Sequence, residues 1–343
     1  MKYKQLGTSD LNVSEITLGT MTFGEQNSPE EAARQLDYAI AQGVNFIDVA
    51  EMYPVPPRPD TQGRTEAYVG RWLNKQSRDK LIIATKITGP GRGFEWVRGG
   101  PQITPKQIKA AIDTSLTRLK TDYIDLYQIH WPDRNVPTFG QSEYDPAAER
   151  PTTPIIEQLG AFADLIQAGK IRHVGLSNET PWGVCQFTHA AATAGLPRVA
   201  SIQNAYNLLN RSFEFGLAET CHREQIGLLA YSPLGFGTLT GKYTGGADVG
   251  RMTRFPGFGQ RYNKPMVPEA VAAYVDLAKQ VHMHPTTLAL AFVRSRWFVT
   301  STIIGATTME QLQQNLDSVE IEVDAELLEK IQAIHTRYPN PAP

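Results

Sequence analysis

The sequence predicts an α/β protein of the (β/α)8 TIM-barrel class, and three observations support this prediction. Short apolar runs alternate with amphipathic stretches eight times along the 343 residues, a pattern typical of parallel strands connected by helices. Several runs are apolar nearly throughout, as in strands that are covered on both faces. Polar side chains follow nearly every run, and barrels gather their functional groups at the carboxyl ends of the strands.

The predicted barrel strands are short, four to six residues each. They span residues 15–18, 45–49, 81–85, 123–128, 173–176, 200–203, 227–230 and 301–304. The stretch KYKQLGTSDLNV before them predicts an additional hairpin that turns at residues 8–10. Alternation alone fits both a closed barrel and an open doubly wound sheet, but an open sheet gathers its ligands at one switch point. Polar groups at nearly every strand end therefore favour the barrel.

The segments between the strands show the 3.6-residue apolar periodicity of helices. The first places Ala32, Leu36 and Ala39 on one face and ends at Gly43, and another begins at Thr104 and Pro105, which suit a helix cap and first turn. Helices are predicted over 29–42, 65–74, 105–119, 154–168, 181–194, 212–224, 268–282, 309–318 and 325–335. Residues 54–64 and 235–265 are predicted to be long functional loops, and 339–343 an irregular surface extension.

Composition narrows the classes of function. The net charge of −2 gives no basic surface for nucleic acid or for an anionic membrane. The chain contains no run of about 20 apolar residues, so we expect no membrane span, and its first residues predict no signal peptide. Two cysteines, Cys185 and Cys221, lie outside any metal-ligand spacing. We expect both to be buried, in a reducing cytoplasmic setting.

The length of the chain fits one domain. Barrels often use this length in one unit, so residues 1–343 are predicted to form a single domain, with a monomer as the default state.

The polar residues that follow the strands are chemically distinctive. Asp48 and Tyr53 follow the second strand, Lys86 the third, and His130 with Trp131 the fourth. Taken singly, each fits a packing, capping or solvated residue. The later strand ends carry Ser177, Asn178, Gln203, Tyr231, Ser232, Gly305 and Thr307. Because these ends meet at one face of a barrel, we expect the side chains to converge there.

Five ordered motifs resemble those of the aldo-keto reductase family. They are NFIDVAEMY, SLTRLKTDYIDLYQIH, GLSN, AYSPLGFGTLTGKY and IIGATTMEQLQQN. The resemblance extends over about residues 3–335. The insertion PVPPRPDTQGR after the tyrosine, with LGTMTFGEQ upstream, is most similar to the bacterial Tas-type branch of that family. The resemblance implies an NADP(H)-dependent reductase that converts aldehydes or ketones to alcohols, with a small carbonyl compound as its substrate and no metal ion.

The resemblance also implies a catalytic tetrad of Tyr53, Asp48, Lys86 and His130. Tyr53 would donate the proton to the carbonyl oxygen, and the ammonium of Lys86, held by Asp48, would lower the pKa of the phenol. His130, in its neutral form, would orient the carbonyl oxygen. Tyr53, His130 and Trp131 would line the substrate pocket. Phe94, Trp96, Phe139 and Tyr144 are further candidates for its walls, and Arg58 and Arg64 are candidate carboxylate ligands or solvated loop residues.

Cofactor-binding positions follow from the same motifs. GFGTLTG resembles a dinucleotide-binding glycine pattern, but KYTGGADVG after it is not an amphipathic helix, so a phosphate-binding loop fits better. The implied cofactor residues are Thr20, Met21, Asp48, Ser177, Asn178, Gln203, Tyr231, Ser232, Pro233, Leu234, Gly235, Gly237, Leu239, Gly241, Lys242, Arg254, Gly305, Thr307, Gln311, Gln314 and Asn315. Many family members have a cation near Gln311 for the 2′-phosphate, so Arg254 or Arg251 is expected to supply that charge.

Two other functions fit parts of the pattern. Some members of the family, such as the β subunits of potassium channels, hold the cofactor and regulate a partner, so a regulatory binding protein is the main alternative. A metal- or phosphate-dependent barrel enzyme of another class is the second. Seven histidines are present, but none forms an H-x-x-x-H pair or stands in a carboxylate-rich set.

Overall fold

The computed structural model describes residues 1–244 and 250–343. Within them, eight parallel strands form a closed barrel, which confirms the predicted class. These strands are β3 (Ile16–Gly19), β4 (Phe46–Asp48), β5 (Ile82–Ile87), β6 (Ile124–Ile129), β7 (Ile171–Ser177), β8 (Val199–Ala205), β9 (Gly227–Tyr231) and β10 (Val299–Ile304). The barrel closes between β10 and β3, where Thr302 pairs with Ile16.

The predicted hairpin is present and covers one end of the barrel. Strands β1 (Tyr3–Gln5) and β2 (Asn12–Ser14) are antiparallel. Leu6, Leu11 and Val13 are buried in one apolar cluster with Phe46 and Leu229 from the barrel strands. The hairpin therefore closes the amino-terminal end of the barrel, and the opposite end remains for ligands.

Helices surround the barrel in the predicted order. They are α1 (Pro29–Ala41), α2 (Arg64–Leu73), α3 (Pro105–Leu119), α4 (Ile155–Gln167), α5 (Pro181–Ala194), α6 (Leu217–Glu224), α7 (Arg251–Arg254), α8 (Val267–Gln280), α9 (Pro285–Ser295), α10 (Met309–Asp317) and α11 (Ala325–Arg337). The capping residue Ser28 accepts from the amide of Glu31, whose carboxylate accepts from the amide of Ser28 in return, so both free amides are satisfied. None of the helices in the described part of the chain is long and apolar enough to cross a membrane.

Two helices differ from the sequence expectation. The helix α9 was not predicted, because Leu288 to Val293 are all buried and a helix that is apolar on every side shows no amphipathic periodicity. The predicted helix over 212–224 begins only at Leu217. Gly216 before it has a φ of 71°, which ends the preceding helical turn.

The predicted loop over 235–265 contains short helical turns. Residues Gly235–Thr240 and Gln260–Asn263 form 3-10 turns, and α7 lies between them. Residues 245–249 of this loop, which belong to the KYTGGADVG stretch, lie outside the described residues.

The carboxyl-terminal tail and one cysteine also differ from expectation. Residues 339–343 are irregular as predicted, but they are not a free surface extension. The side chain of Asn340 accepts a hydrogen bond from the amide of Arg211 at 2.6 Å, and the amide of Ala342, which is fully buried, donates to the carbonyl of Leu209 at 3.0 Å.

Of the two cysteines, one is buried as expected and one is not. Cys221 is buried, and burial raises its pKa to about 12. Cys185 is exposed, because its position in α5 faces away from the barrel.

Two helical glycines allow a matched test of the packing around the barrel. A Cβ atom on Gly70 in α2 would lie 2.1 Å from the carbonyl oxygen of Arg118 in α3, whereas a Cβ atom on Gly160 in α4 would have no neighbour within 4 Å. We expect Gly70→Ala to lower the free energy of unfolding by about 1–3 kcal/mol or more. Gly160→Ala is expected to raise it by about 0.5–1 kcal/mol. Urea denaturation measures both, and equal shifts in the two variants would contradict the close approach of α2 and α3.

Candidate active site

A large cavity opens at the carboxyl end of the barrel strands. Its volume is about 1180 Å³, and its walls come from the ends of β3, β4 and β6 to β10 and from the segments that follow them. The amino-terminal end of the barrel is closed by the hairpin. The strand-end residues of the sequence analysis therefore converge on one space, as the barrel requires.

A buried ion pair lies beneath this cavity. Lys86 is fully buried, and its Nζ donates to Asp48 Oδ2 at 2.6 Å and to the carbonyl of Val49 at 2.7 Å. The other carboxylate oxygen of Asp48 accepts from Gln203 at 2.8 Å and from Gln128 at 3.3 Å. Burial lowers the pKa of Lys86, and the carboxylate of Asp48 opposes that effect. Asp48 lines the cavity, whereas Lys86 lies behind Asp48 and does not line the cavity.

Tyr53 and His130 face each other across the cavity floor. Their rings meet edge to face with centroids 5.6 Å apart, and the Nζ of Lys86 is 5.0 Å from the centre of the Tyr53 ring. Burial lowers the pKa of His130 well below its usual value, and the charges of Lys86 and Arg92 act in the same direction. His130 is therefore neutral near pH 7, as expected. Its buried Nδ1 has no hydrogen-bond partner among the described residues.

The pKa of Tyr53 differs in direction from the sequence expectation. Burial raises it well above its usual value, and the nearby carboxylate of Asp48 raises it further. The expected lowering by Lys86 was wrong for this structure. Lys86 is paired with Asp48 at 2.6 Å, and the attraction of its ammonium for the phenolate is smaller than the cost of removing the phenolate from water. Tyr53 is consequently a neutral, protonated phenol across the physiological range.

A second set of hydrogen bonds connects the ends of β6, β7, β8 and β9. The side chain of Asn178 donates to the carbonyl of His130 at 2.8 Å and accepts from the hydroxyl of Tyr231 at 2.7 Å. Its backbone has a φ of 54°, a conformation that asparagine tolerates better than most residues. Ser177 donates to the carbonyl of Gln203 at 2.8 Å. These hydrogen bonds therefore hold the ends of the four strands together in this part of the cavity wall.

The far end of the cavity is formed by β10 and α10. Thr308 caps α10 through the amide of Gln311, and the side-chain oxygen of Gln311 accepts from the amide of Thr307 at 3.0 Å. Asn315 donates to the carbonyl of Gly305 at 3.2 Å. These five residues and Gln314 all line the cavity.

Most of the predicted site residues line this one cavity, and a few do not. The predicted residues in its wall are Thr20, Met21, Asp48, Tyr53, His130, Trp131, Ser177, Asn178, Gln203, Tyr231, Ser232, Pro233, Leu234, Gly237, Lys242, Arg254, Gly305, Thr307, Gln311, Gln314 and Asn315. Gly235, Leu239 and Gly241 lie outside it. Leu239 belongs to the hydrophobic core, and the two glycines shape the turn with φ values of 55° and 81°.

The candidates for the substrate walls divide in the same way. Phe94 and Phe139 line the cavity, whereas Trp96 and Tyr144 are exposed outside it. Arg58 pairs with Glu25, and Arg64 donates to the carbonyl of Asp60, so neither faces a ligand.

Several lining residues carried no sequence signal. Arg92 lies in an irregular segment, and Phe258 and Arg261 lie close together in the predicted loop over 235–265, but no motif of the sequence analysis contains them. Arg251, which the sequence analysis treated as an alternative to Arg254, lines the cavity with its Nη1 3.9 Å from the sulfur of Met21.

Comparison with known proteins agrees with this geometry. The sequence model of the Aldo/keto reductase family matches residues 15–336. The chain is 52% identical to Protein tas of Escherichia coli K12 over the whole of both chains. It is 39% identical to an aldo-keto reductase of Babesia bovis over 76% of this chain and 98% of that one. It is also 30% identical to the L-glyceraldehyde 3-phosphate reductase of Escherichia coli K12, over 93% and 88% of the two chains.

The buried pair supports a test by a double-mutant cycle on stability. Asp48→Asn and Lys86→Met are each expected to lower the free energy of unfolding by about 3–5 kcal/mol, because each leaves its partner buried without a counter-charge. The double variant is expected to lose about 1–3 kcal/mol less than the sum of the two.

The exposed pair Lys109 and Asp164, 2.9 Å apart, is the matched control. Lys109→Met and Asp164→Asn are expected to couple by less than about 1 kcal/mol. Urea denaturation of the wild type and of the six variants, three in each cycle, measures both couplings. Equal coupling in the two cycles would contradict a special role for the buried pair.

Proposed function

The chain belongs to the aldo/keto reductase family, whose members generally use NAD(P)H, and we propose that it reduces aldehydes or ketones to alcohols with NADPH. The observation that carries the proposal is the meeting of Tyr53, His130 and the Asp48–Lys86 pair at one end of the cavity. A protonated phenol and a neutral imidazole on one face form a site for a carbonyl oxygen.

The residues present fit a dinucleotide cofactor. The cavity of about 1180 Å³ exceeds what a drug-sized ligand needs, and it extends from the barrel floor to α10. Lys242 lines it as well and would neutralise a pyrophosphate. At the floor, Asn178, Gln203 and Tyr231 would hold a nicotinamide ring. The Nδ1 of His130, which has no partner in the described part of the chain, is consistent with a ligand above it.

In this proposal, the protein supplies a proton and a fixed geometry. When bound, the reduced nicotinamide supplies the hydride. Tyr53 donates its phenolic proton to the carbonyl oxygen as negative charge develops there. Neutral His130 donates a hydrogen bond to the same oxygen, because its depressed pKa leaves one ring N–H and no positive charge. Lys86 lies close enough to the Tyr53 ring to stabilise the phenolate left behind, until a proton returns from solvent.

The proposal of NADPH rather than NADH depends on Arg254. Gln311 already accepts from the amide and hydroxyl of Thr307, and a glutamine carries no charge for a 2′-phosphate. Arg251 reaches the floor of the cavity at Met21. Arg254 remains as an exposed cation in the wall, and an arginine binds a phosphate through paired hydrogen bonds.

Removal of the proton donor tests the reaction. In Tyr53→Phe, we expect kcat for a panel of aldehydes to fall by about 100- to 10,000-fold, while the dissociation constant of NADPH changes by less than about twofold. The decrease in nicotinamide absorbance measures turnover. Tyr127→Phe is the matched control, because this hydroxyl is buried in the barrel wall without a hydrogen-bond partner.

Turnover by Tyr53→Phe at the wild-type rate would exclude Tyr53 as the donor. A wild-type protein that binds NADPH tightly and reduces none of the aldehydes would instead favour the regulatory alternative.

Cofactor preference is tested at Arg254. We expect Arg254→Gln to weaken NADPH binding by about 10- to 100-fold, the typical contribution of a hydrogen bond to a charged group. NADH binding is expected to change by less than about twofold. Fluorescence titration measures both constants, with Arg223→Gln, an exposed helix residue paired with Glu219, as the control. If NADPH and NADH binding weakened equally, Arg254 would not be the residue that binds the 2′-phosphate.

A further inference from the structure

Two arginines that the proposed cofactor contacts do not use also line the cavity. Arg261 is buried, with 8% of its surface exposed, and Arg92 lies at the mouth. Among residues 1–244 and 250–343, neither has a carboxylate partner, whereas the neighbouring Arg58 and Arg134 pair with Glu25 and Glu179. A buried guanidinium without a counter-charge is costly, so its presence in a cavity wall points to an anionic ligand.

Arg261 adjoins the floor of the cavity. It lies beside the phenol of Tyr231 and favours the ionised form of that phenol, against the effect of burial on its pKa. Tyr231 donates to Asn178, which in turn holds the backbone of His130. Arg261 is therefore connected through Tyr231 and Asn178 to His130, whose ring faces Tyr53, the proposed proton donor.

Arg92 approaches the same space from the opposite wall. Its guanidinium stacks 4.2 Å from the centre of the Phe139 ring. Phe139 contacts Trp131, with ring centroids 5.9 Å apart, and Trp131 contacts His130 at 5.0 Å. The backbone of Arg261 lies against Gly140, next to Phe139. The segment after β6 thus contacts both arginines.

The charge in the described wall of the cavity is one-sided. Asp48 is the carboxylate in the described wall of the cavity, and Lys86 neutralises it. Phe94, Trp131 and Phe139 supply apolar walls between the proposed proton donor and the two guanidinium groups. Low-dielectric walls strengthen the field of a charge and concentrate ligands of the opposite sign.

We propose that Arg261 and Arg92 bind an anionic group on the substrate, so that the preferred substrates are aldehydes or ketones bearing a carboxylate or phosphate beyond a short apolar spacer. This inference rests on the proposed reductase function and specifies its substrate class. The apolar walls hold the spacer, and the arginines fix the end of the molecule remote from the carbonyl.

Substrates that differ only in charge test the proposal. The set is 4-carboxybenzaldehyde, 4-formylphenyl phosphate and the neutral ester methyl 4-formylbenzoate, whose reacting carbonyl and ring are the same. With the full-length wild type and NADPH, we expect kcat/KM for at least one anionic aldehyde to exceed that of the ester by about tenfold or more. Comparison of the two anions then distinguishes a carboxylate site from a phosphate site.

The variants separate binding of the anion from a structural role. Arg261→Gln is expected to lower kcat/KM for the preferred anion by about 10- to 100-fold and to change that of the ester by less than about threefold. Arg261→Lys is expected to recover part of the loss, and Arg92→Gln to show a smaller effect in the same direction because Arg92 is exposed. Arg58→Gln is the matched control, since its side chain pairs with Glu25. Equal losses for the anion and the ester, or no preference in the wild type, would overturn the proposal.

A binding measurement separates this inference from the proposed reaction. If the wild type turns over none of the three aldehydes, the proposed function fails. Calorimetry with the NADP+-loaded protein then compares the dissociation constants of the two anions and the ester. Anion binding that weakens about tenfold or more in Arg261→Gln would still support the anion site, and unchanged binding would overturn it.

Discussion

The ion pair between Lys86 and Asp48 constrains the whole carboxyl end of the barrel. A buried ion pair requires hydrogen bonds to both partners. Asp48 and Val49 at the end of β4 accept from Lys86, and Gln128 and Gln203 donate to Asp48. Four strands must therefore keep their register for the charges to remain satisfied. A buried ion pair adds little net stability, because the cost of removing both charges from water offsets their attraction. Its position next to Tyr53, with Lys86 behind the wall and Asp48 in it, explains why a charge is retained there.

Several further interactions hold the groups above this pair in place. Asn178 connects His130 with Tyr231, and Thr20 donates to the backbone carbonyl of Asp48 at 2.8 Å. Glu51, which is buried, accepts from the amide of Thr88 and pairs with Arg98, so it stabilises the loop before Tyr53. These residues make the cavity floor rigid. In our proposals, the arginines that line the cavity select the ligand.

The fold was largely predictable because its signals are local. The eight strand cores, the hairpin and the amphipathic helices follow from apolar periodicity and from caps such as Ser28 and Thr104, which depend on residues a few positions apart. The helix α9 was not predictable in this way, since burial on every side removes the periodicity. The docking of residues 339–343 was missed because it depends on backbone groups of residues 209–211, which are distant in sequence.

The sequence alone determined the class of fold, the family resemblance and the strand ends from which Asp48, Tyr53, Lys86 and His130 project, because strand order in a parallel barrel decides which ends meet. The tertiary structure decided the electrostatics. Burial raises the pKa of Tyr53 and lowers that of His130, and it leaves Arg261 in the cavity wall without a carboxylate partner in the described part of the chain. Exposure to solvent and the distance between charges set these properties, and both arise only when segments far apart in the chain pack together.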